Sequence, residues 1–292
     1  MAYSRVLIAT DASQPAAYAA RLAMKLADPD GAVRLVSVIA FPDVPGFLAA
    51  PVREEILAAS AARQAETRQA MAEWARRAGV QGPDVAVREG HVAREIAHEA
   101  VDFGADLVAV GSHGAGRVER LILGSTARSV LHHAPCDALV ARGEDGAAPA
   151  VRRILVATDF YGPSKSAARR AARIAEETGA ETILLHAVDP GSWSGVLSDA
   201  PGGPGRVDRG WVEKSVAEIV HALNLELFGG KAREVVRQGR AAAAIAKVAH
   251  DEGADLIVLG THGFGPVARA ILGSVATGVV EQAPCSVLVS RA

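Results

Sequence analysis

The stretch Gly111-Ser-His113-Gly114-Ala-Gly116-Arg117-Val-Glu-Arg-Leu-Ile-Leu-Gly124-Ser125 follows an apolar run, Asp106-Leu-Val-Ala-Val110, and opens a second apolar-periodic segment. It reads as strand, glycine loop and helix. Glycine allows positive φ and lets a ligand approach main-chain N–H groups without a Cβ in the way, and Ser125 reads as the N-cap of the following helix. A helix start of this kind favours anions. The pattern returns as Gly260-Thr-His262-Gly263-Phe-Gly265-Pro-Val-Ala-Arg-Ala-Ile-Leu-Gly273-Ser274, with the same gaps between glycines. With Gly at about 7% of residues, Gly-x2-Gly-x9-Gly-Ser/Thr fits a given start by chance about 4 times in 100,000. A second copy at the matching place marks an internal repeat.

The repeat extends over the chain. Arg5-Val-Leu-Ile-Ala9-Thr10-Asp11 is matched by Arg153-Ile-Leu-Val-Ala157-Thr158-Asp159, each a continuous apolar run of the sort buried on both faces of a parallel sheet. Pro15 and Pro163 suit the first turns of helices over about 15 to 27 and 163 to 177, which stop near Gly31 and Gly179. Second strands are expected at 33–39 and 182–188, and third strands at 85–88 and 234–237. Gly104-Ala-Asp-Leu-Val-Ala-Val-Gly111 and Gly253-Ala-Asp-Leu-Ile-Val-Leu-Gly260 read as the fourth strands, and 137–141 and 286–290 as the last. Helices are expected at about 53–78, 92–103, 210–228 and 241–252, and after each glycine loop. Strands and helices alternating in this way give an α/β fold with a parallel sheet covered on both sides. The reading is two doubly wound domains, 1–142 and 152–292, joined by a linker at 143–151. The repeats diverge most where repeat two carries Asp199-Ala-Pro-Gly-Gly-Pro-Gly205, read as a surface loop flanked by Trp193 and Trp211.

Composition bounds the function. Half of the 292 residues are apolar and the formal net charge is −2, with no block of Lys or Arg. That supports a sizeable core and argues against nucleic acid as a partner. Two cysteines at equivalent positions, Cys136 and Cys285, do not make a disulfide framework. No segment approaches the roughly 20 apolar residues of a membrane span, so no membrane is expected and the cytoplasm is the default compartment. There is no Gly-x4-Gly-Lys-Ser/Thr and no Gly-x-Gly-x-x-Gly, which sets aside a P-loop and a dinucleotide fold.

On these residues the chain resembles the universal stress protein family, and within it the tandem members that carry two copies. The glycine loop, intact in both copies, is the pattern that marks the ATP-binding branch of that family. The Thr-Asp after strand one and the Ala-Pro-Cys before strand five are similar to family features as well. The resemblance implies two flavodoxin-like or Rossmann-like domains, each with five parallel strands in the order 3-2-1-4-5. It also implies a pseudo-two-fold packing of the repeats, strands 137–141 and 286–290 meeting across the axis, with a homodimer as a further option. Repeat one departs at Val38-Ile39-Ala40-Phe41, set against His186-Ala187-Val188-Asp189 of repeat two.

In such a sheet ligands lodge beyond the carboxyl ends of the strands where the order reverses, so Asp11 and the 111–116 loop should face each other. ATP, ADP or AMP is then placed with adenine against Ile39 and Ala9, and with the ribose near Thr10, Asp11 and Gly111. The phosphates would lie on the N–H groups of Gly114 to Gly116 and of Gly124, Ser125 and Thr126. The Ser125 hydroxyl and Arg117, with Arg120 secondary, would add contacts. Repeat two offers Ala187, Ala157, Thr158, Asp159, Gly260, Gly263, Gly265, Gly273, Ser274 and Val275 in these roles. His113 and His262 could meet phosphate or cap carbonyls. Magnesium would be held by Asp11 or Asp159 through phosphate-bound water, and no protein-only metal site is expected. The leading reading is a nucleotide-binding stress or signalling protein with slow or no chemistry. Its rivals are a slow ATPase or nucleotidyl-transfer enzyme using the same pockets, and a scaffold with vestigial sites.

Overall fold

The computed structural model describes residues 3–40, 50–114, 123–143, 149–189, 209–261 and 272–291, without the side chains of 50, 52, 53 and 209–213. Its contacts divide the chain into two units, Met1–Pro149 and Ala150–Ala292.

Unit 1 runs β1 (Tyr3–Ala9), α1 (Gln14–Leu26), β2 (Ala27–Ile39), α2 (Ala50–Ala78), β3 (Asp84–Glu89), α3 (Val92–Phe103), β4 (Leu107–Gly111), α4 (Ser125–His133) and β5 (Asp137–Ala141). Its strands are parallel and ordered β3-β2-β1-β4-β5. Val6, Leu7 and Ile8 of β1 and Leu107, Val108 and Ala109 of β4 are fully buried, because this central pair is covered on both faces. Helix α1 packs on α2, and α3 on α4. Right-handed crossovers put these two layers on opposite faces of the sheet.

Unit 2 repeats the plan with β6 (Arg153–Ala157), α5 (Gly162–Thr178), β7 (Glu181–Val188), α6 (Arg209–Phe228), β8 (Arg233–Gln238), α7 (Ala241–Asp251), β9 (Leu256–Gly260), α8 (Ser274–Gln282) and β10 (Ser286–Ser290). The order is β8-β7-β6-β9-β10, again parallel. The expected order 3-2-1-4-5 therefore holds in each unit.

Three local expectations change. Gly31 does not end α1: the helix stops at Leu26 and β2 starts at Ala27, with an irregularity in its register against β1. A Cβ at Gly31 would come within 2.8 Å of the Ser4 carbonyl oxygen, so glycine serves a close approach between strands there. In unit 2, Gly179 does end its helix, in the left-handed conformation (φ 70°). Second, the repeated Gly-Ala-Asp is a clamp ahead of the fourth strand, not part of it. Gly104 and Gly253 take left-handed conformations after α3 and α7. Asp106 then accepts hydrogen bonds from the Ser4 and Arg5 amides at 2.8 and 2.9 Å, and Asp255 from the Arg152 and Arg153 amides at 2.8 and 3.0 Å. These bonds tie the start of the first strand to the fourth. Third, Val36 carbonyl accepts from the Thr10 amide and Leu185 carbonyl from the Thr158 amide, while Ile39 and Val188 accept from Gly90 and Gly239. This register matches Ser37 with His186, Val38 with Ala187 and Ile39 with Val188, one residue away from the alignment read from sequence.

Candidate functional site

Each sheet reverses order between its first and fourth strands, and each unit carries a cavity at the carboxyl ends there, about 450 Å³ in unit 1 and about 440 Å³ in unit 2. Unit 1 brings together Ala9, Thr10, Asp11, Gly111, His113, Gly114, Gly124, Ser125 and Thr126 around its cavity, with Val36, Val38, Val92 and Ile96 forming an apolar wall. Unit 2 brings together Ala157, Thr158, Asp159, Ala187, Gly260, Gly273, Ser274 and Val275. Ile39 is not among the lining residues, since the register gives its expected place to Val38. Gly116, Arg117, Arg120, His262, Gly263 and Gly265 lie outside the described residues, as do Trp193, the 199–205 stretch and the Trp211 side chain.

The floor of each cavity is the turn after the first strand. In unit 1 the Ala12 amide donates to Thr10 Oγ1 at 3.0 Å and the Ser13 amide to Asp11 Oδ1 at 3.0 Å. In unit 2 the Phe160 amide donates to Thr158 Oγ1 at 3.0 Å and the Tyr161 amide to Asp159 Oδ1 at 3.2 Å. The repeated Thr-Asp is thus a turn clamp in both units. It holds Ala12 (φ 63°) and Phe160 (φ 71°) in the left-handed region, which costs a residue with a Cβ about 1–2 kcal/mol. The clamp leaves Asp11 Oδ2 aimed at the glycine loop: a Cβ on Gly114 would sit 2.6 Å from it. Asp11 thus lies beside Gly114, within the described part of the loop.

The glycines divide by role. A Cβ on Gly111 would lie 2.9 Å from the Pro15 carbonyl carbon, and one on Gly260 2.7 Å from that of Pro163. These two glycines let the first helix pass over the fourth strand, whether or not a ligand is bound. Gly124 and Gly273, not Ser125 and Ser274, are the N-caps of α4 and α8, with extended backbones (ψ 151° and 157°). The Gly124 amide donates to the Ser112 carbonyl at 2.7 Å and the Gly273 amide to Thr261 at 2.8 Å, so neither N–H can serve phosphate. The first intrahelical bonds are Arg128 to Gly124 and Thr277 to Gly273. The amides of Ser125, Thr126 and Ala127, and of Ser274, Val275 and Ala276, precede them on the cavity wall and carry the positive end of the helix. The anion-facing donors thus begin one residue later than the sequence suggests.

His113 Nδ1 shares a hydrogen bond of 2.9 Å with Ser112 Oγ, which fixes the ring beside the loop. One feature of unit 2 escaped the sequence reading. His186 Nδ1–H donates to the Thr158 carbonyl at 2.8 Å, and its ring stacks on Phe160 with centroids 4.4 Å apart. Burial lowers the His186 pKa from its ordinary value, against the opposing effects of the Thr158 carbonyl and the Asp159 charge. A histidine next to the strand end was visible in the sequence, but the partner ring sits in a left-handed turn that periodicity does not show. Among the described residues no cluster of His, Cys, Asp or Glu could hold a metal ion, and no helix is long and apolar enough to cross a membrane.

Comparison with known proteins bears on both units. The profile of the Universal stress protein family matches residues 2–142 and again 150–291. A universal stress protein of Mycolicibacterium smegmatis is 31% identical over 212 residues, covering 70% of this chain and 67% of that protein. One of Thermus aquaticus is 36% identical over 140 residues, 48% of this chain and 99% of that protein. One of Mycobacterium tuberculosis strain H37Rv is 30% identical over 196 residues, and the match spans just under two thirds (64%) of its length. Among solved structures, a universal stress protein from Archaeoglobus fulgidus aligns with a TM-score of 0.63 and 20% identity over 100% of this chain and 97% of that one, a likeness of fold.

Proposed function

The chain belongs to the universal stress protein family, in its tandem form with two family domains, and from that premise we propose that each unit binds an adenine nucleotide, ATP or its ADP and AMP relatives, in the cavity beyond its first and fourth strands. One observation carries the reading: in both units a cavity at the strand-order reversal is walled by three helix-start amides and a serine on one side and by apolar residues on the other. The amides and Ser125 or Ser274 suit the phosphates. Val36, Val38 and Ile96, or Leu185, Ala187 and Ile245, suit the flat face of a base. Asp11 and Asp159 line the same cavities and suit a ribose hydroxyl or a magnesium ion held through phosphate-bound water. Occupancy would set the state of a cytoplasmic stress or signalling protein, with slow or no chemistry of its own.

Gentle purification, denaturation and mass spectrometry of what is released test this directly, and an adenine nucleotide is expected. Calorimetry on the whole chain should then find two sites for ATP. Ser125→Ala should weaken one of them about tenfold, the value of one hydrogen bond to a charged group in a partly exposed place. If no nucleotide co-purifies and millimolar ATP gives no heat of binding, the reading fails.

A further inference from the structure

The two cavities have nearly the same volume, about 450 and 440 Å³, yet their apolar walls are packed in opposite senses. On the inner wall, Val36 and Val110 of unit 1 are replaced in unit 2 by the larger Leu185 and Leu259, and all four are buried. At the rim the change runs the other way. Val38, two residues further along β2, is matched by Ala187, and Val92, the first residue of α3, by Ala241, the first of α7. These four residues are half-buried and line the cavities. Each exchange of Val for Ala removes two methyl groups, so unit 2 is filled further inside and opened at its mouth.

The strand register indicates which part of a base meets that rim. In a parallel ladder the N–H and C=O of one residue point to the same side, and alternate residues point to opposite sides. The Val36 carbonyl accepts from the Thr10 amide, and the Leu185 carbonyl from the Thr158 amide. The main chain of Val38, and of Ala187 in unit 2, therefore faces the same side just past the end of β1 or β6, at the cavity. An N–H and a C=O side by side match the ring nitrogen and the amino group on one edge of adenine. The carbonyl needs only one of the two amino hydrogens. The other position can carry a substituent, and the rim side chains decide whether there is room for it.

We infer that the rim pairs set which adenines each unit accepts. Val38 and Val92 close unit 1 to a base enlarged at its amino group, whereas Ala187 and Ala241 open unit 2 to N6-alkylated adenine nucleotides as well as to the unsubstituted ones. The inference rests on the reading that the cavities hold adenine nucleotides, and it concerns the base end alone. An alkyl or benzyl group suits the opened rim because the walls around it, Leu185 and Ile245 among them, are apolar.

The test is titration of the whole chain with ADP and with N6-benzyl-ADP, followed by nuclear magnetic resonance. The amides of Thr126 and Val275, one on each cavity wall, report the two sites separately. In unit 1, N6-benzyl-ADP should bind about tenfold more weakly than ADP or worse, the usual cost of forcing extra atoms against a filled wall. In unit 2 the two ligands should agree within about threefold. Val38→Ala with Val92→Ala should bring the unit 1 penalty down to that of unit 2, and Ala187→Val with Ala241→Val should impose it there. Each penalty is a ratio of two ligands on one variant, so a general loss of affinity cancels, and binding of ADP shows that the variant is folded. If the enlarged unit 2 does not bind ADP, the Ala pair in unit 1 decides alone. A penalty equal in the two units or larger in unit 2, or one that the exchanges do not move, overturns the inference and leaves the nucleotide reading standing. If neither ligand moves either amide, the nucleotide reading itself fails.

Discussion

Between its first strand and first helix each unit runs through the same four-residue turn, with Thr and Asp bonding forward and the third residue left-handed. Unit 1 places Ala12 there, with Ser37 on the adjoining strand; unit 2 places Phe160 there, stacked on His186. The same divergence recurs on the face of α3. In unit 1 the buried Glu99 carboxylate accepts from Arg34 at 2.7 Å and from Arg88 at 2.6 Å, with Asp84 and Asp102 as outer partners. The Arg5 and Arg34 guanidinium groups also lie over the Phe103 ring, 4.6 and 4.5 Å from its centre. Unit 2 has Val248 where unit 1 has Glu99, and Ile183 where it has Arg34. The same two positions thus carry a buried charge network in one unit and apolar side chains in the other, where the charged link is the outer pair of Arg233 with Glu252 at 2.7 Å. The constraints common to both are the Thr-Asp turn, the Asp clamp ahead of the fourth strand, and the close passage of a glycine under the first helix. Those define the fold, and the rest tunes each copy.

The sharpest way to break this comparison is to give unit 1 the residues of unit 2. Glu99→Val leaves Arg34 and Arg88 without their shared buried carboxylate. Breaking a buried pair on one side costs about 3–5 kcal/mol, and because both arginines are partly exposed and keep an outer partner, about 2–3 kcal/mol is expected. Adding Arg34→Ile reproduces the pair found in unit 2 and should recover at least half of that loss. Hydrogen exchange read separately for each unit is the measurement, since two units need not unfold together. A single substitution that leaves unit 1 as stable as before would show that the network adds nothing to its fold.

Most of this organisation is legible in the letters because it rests on short-range rules. Apolar runs alternating with helical segments gave the parallel α/β sheets, and the family resemblance implied the strand order that both units have. The losses have identifiable physical causes. Gly31 carries the same signal as a helix-ending glycine, and only the Ser4 carbonyl beside it reveals a strand contact. Ile39 and Val38 differ by a single step of register, which hydrogen bonds from Gly90 and Thr10 decide and composition does not. Ser125 looks like a cap because serine favours that position, yet Gly124 takes it by bonding back to Ser112 across the loop. The left-handed Ala12 and Phe160 are set by side chains two residues earlier, a relation that no hydrophobic period encodes.

A second exchange acts on the aromatic pair. His186→Ser, which installs the residue of unit 1, removes a ring stack and a hydrogen bond to a backbone carbonyl, together about 1–2 kcal/mol at pH 8. The groups facing the imidazole are the Thr158 carbonyl, the Phe160 ring and the Asp159 carboxylate. Because burial lowers the folded-state pKa, the unfolded chain binds the proton first as pH falls below 6.5. Unit 2 then loses stability until pH drops below the folded value, where the loss levels off. The cost of His186→Ser should therefore shrink from pH 8 toward pH 5, while unit 1 shows no matching change on Ser37→Ala. A cost that grows on acidification would mean that the folded state prefers the charged ring.

The smallest effect expected is also the most diagnostic of the turn. Glycine at a left-handed position removes the Cβ clash but adds backbone freedom to the unfolded chain, and the two together leave a net gain of about 0.5–1 kcal/mol. Ala12→Gly has nothing else to lose and should stabilise unit 1 by that amount, raising its unfolding temperature by roughly 2 °C. Phe160→Gly gains the same relief but gives up a stacked ring worth about 0.5–1.5 kcal/mol beyond the area it buries, so unit 2 should become less stable. The left-handed backbone is shared, whereas the residue on it is balanced differently in the two copies. Thermal unfolding followed by hydrogen exchange in each unit separates the outcomes. A gain from both substitutions would show that the Phe160 and His186 rings contribute little to the turn. A loss from both would show that the Thr-Asp clamp holds φ near 60° without strain at the third residue.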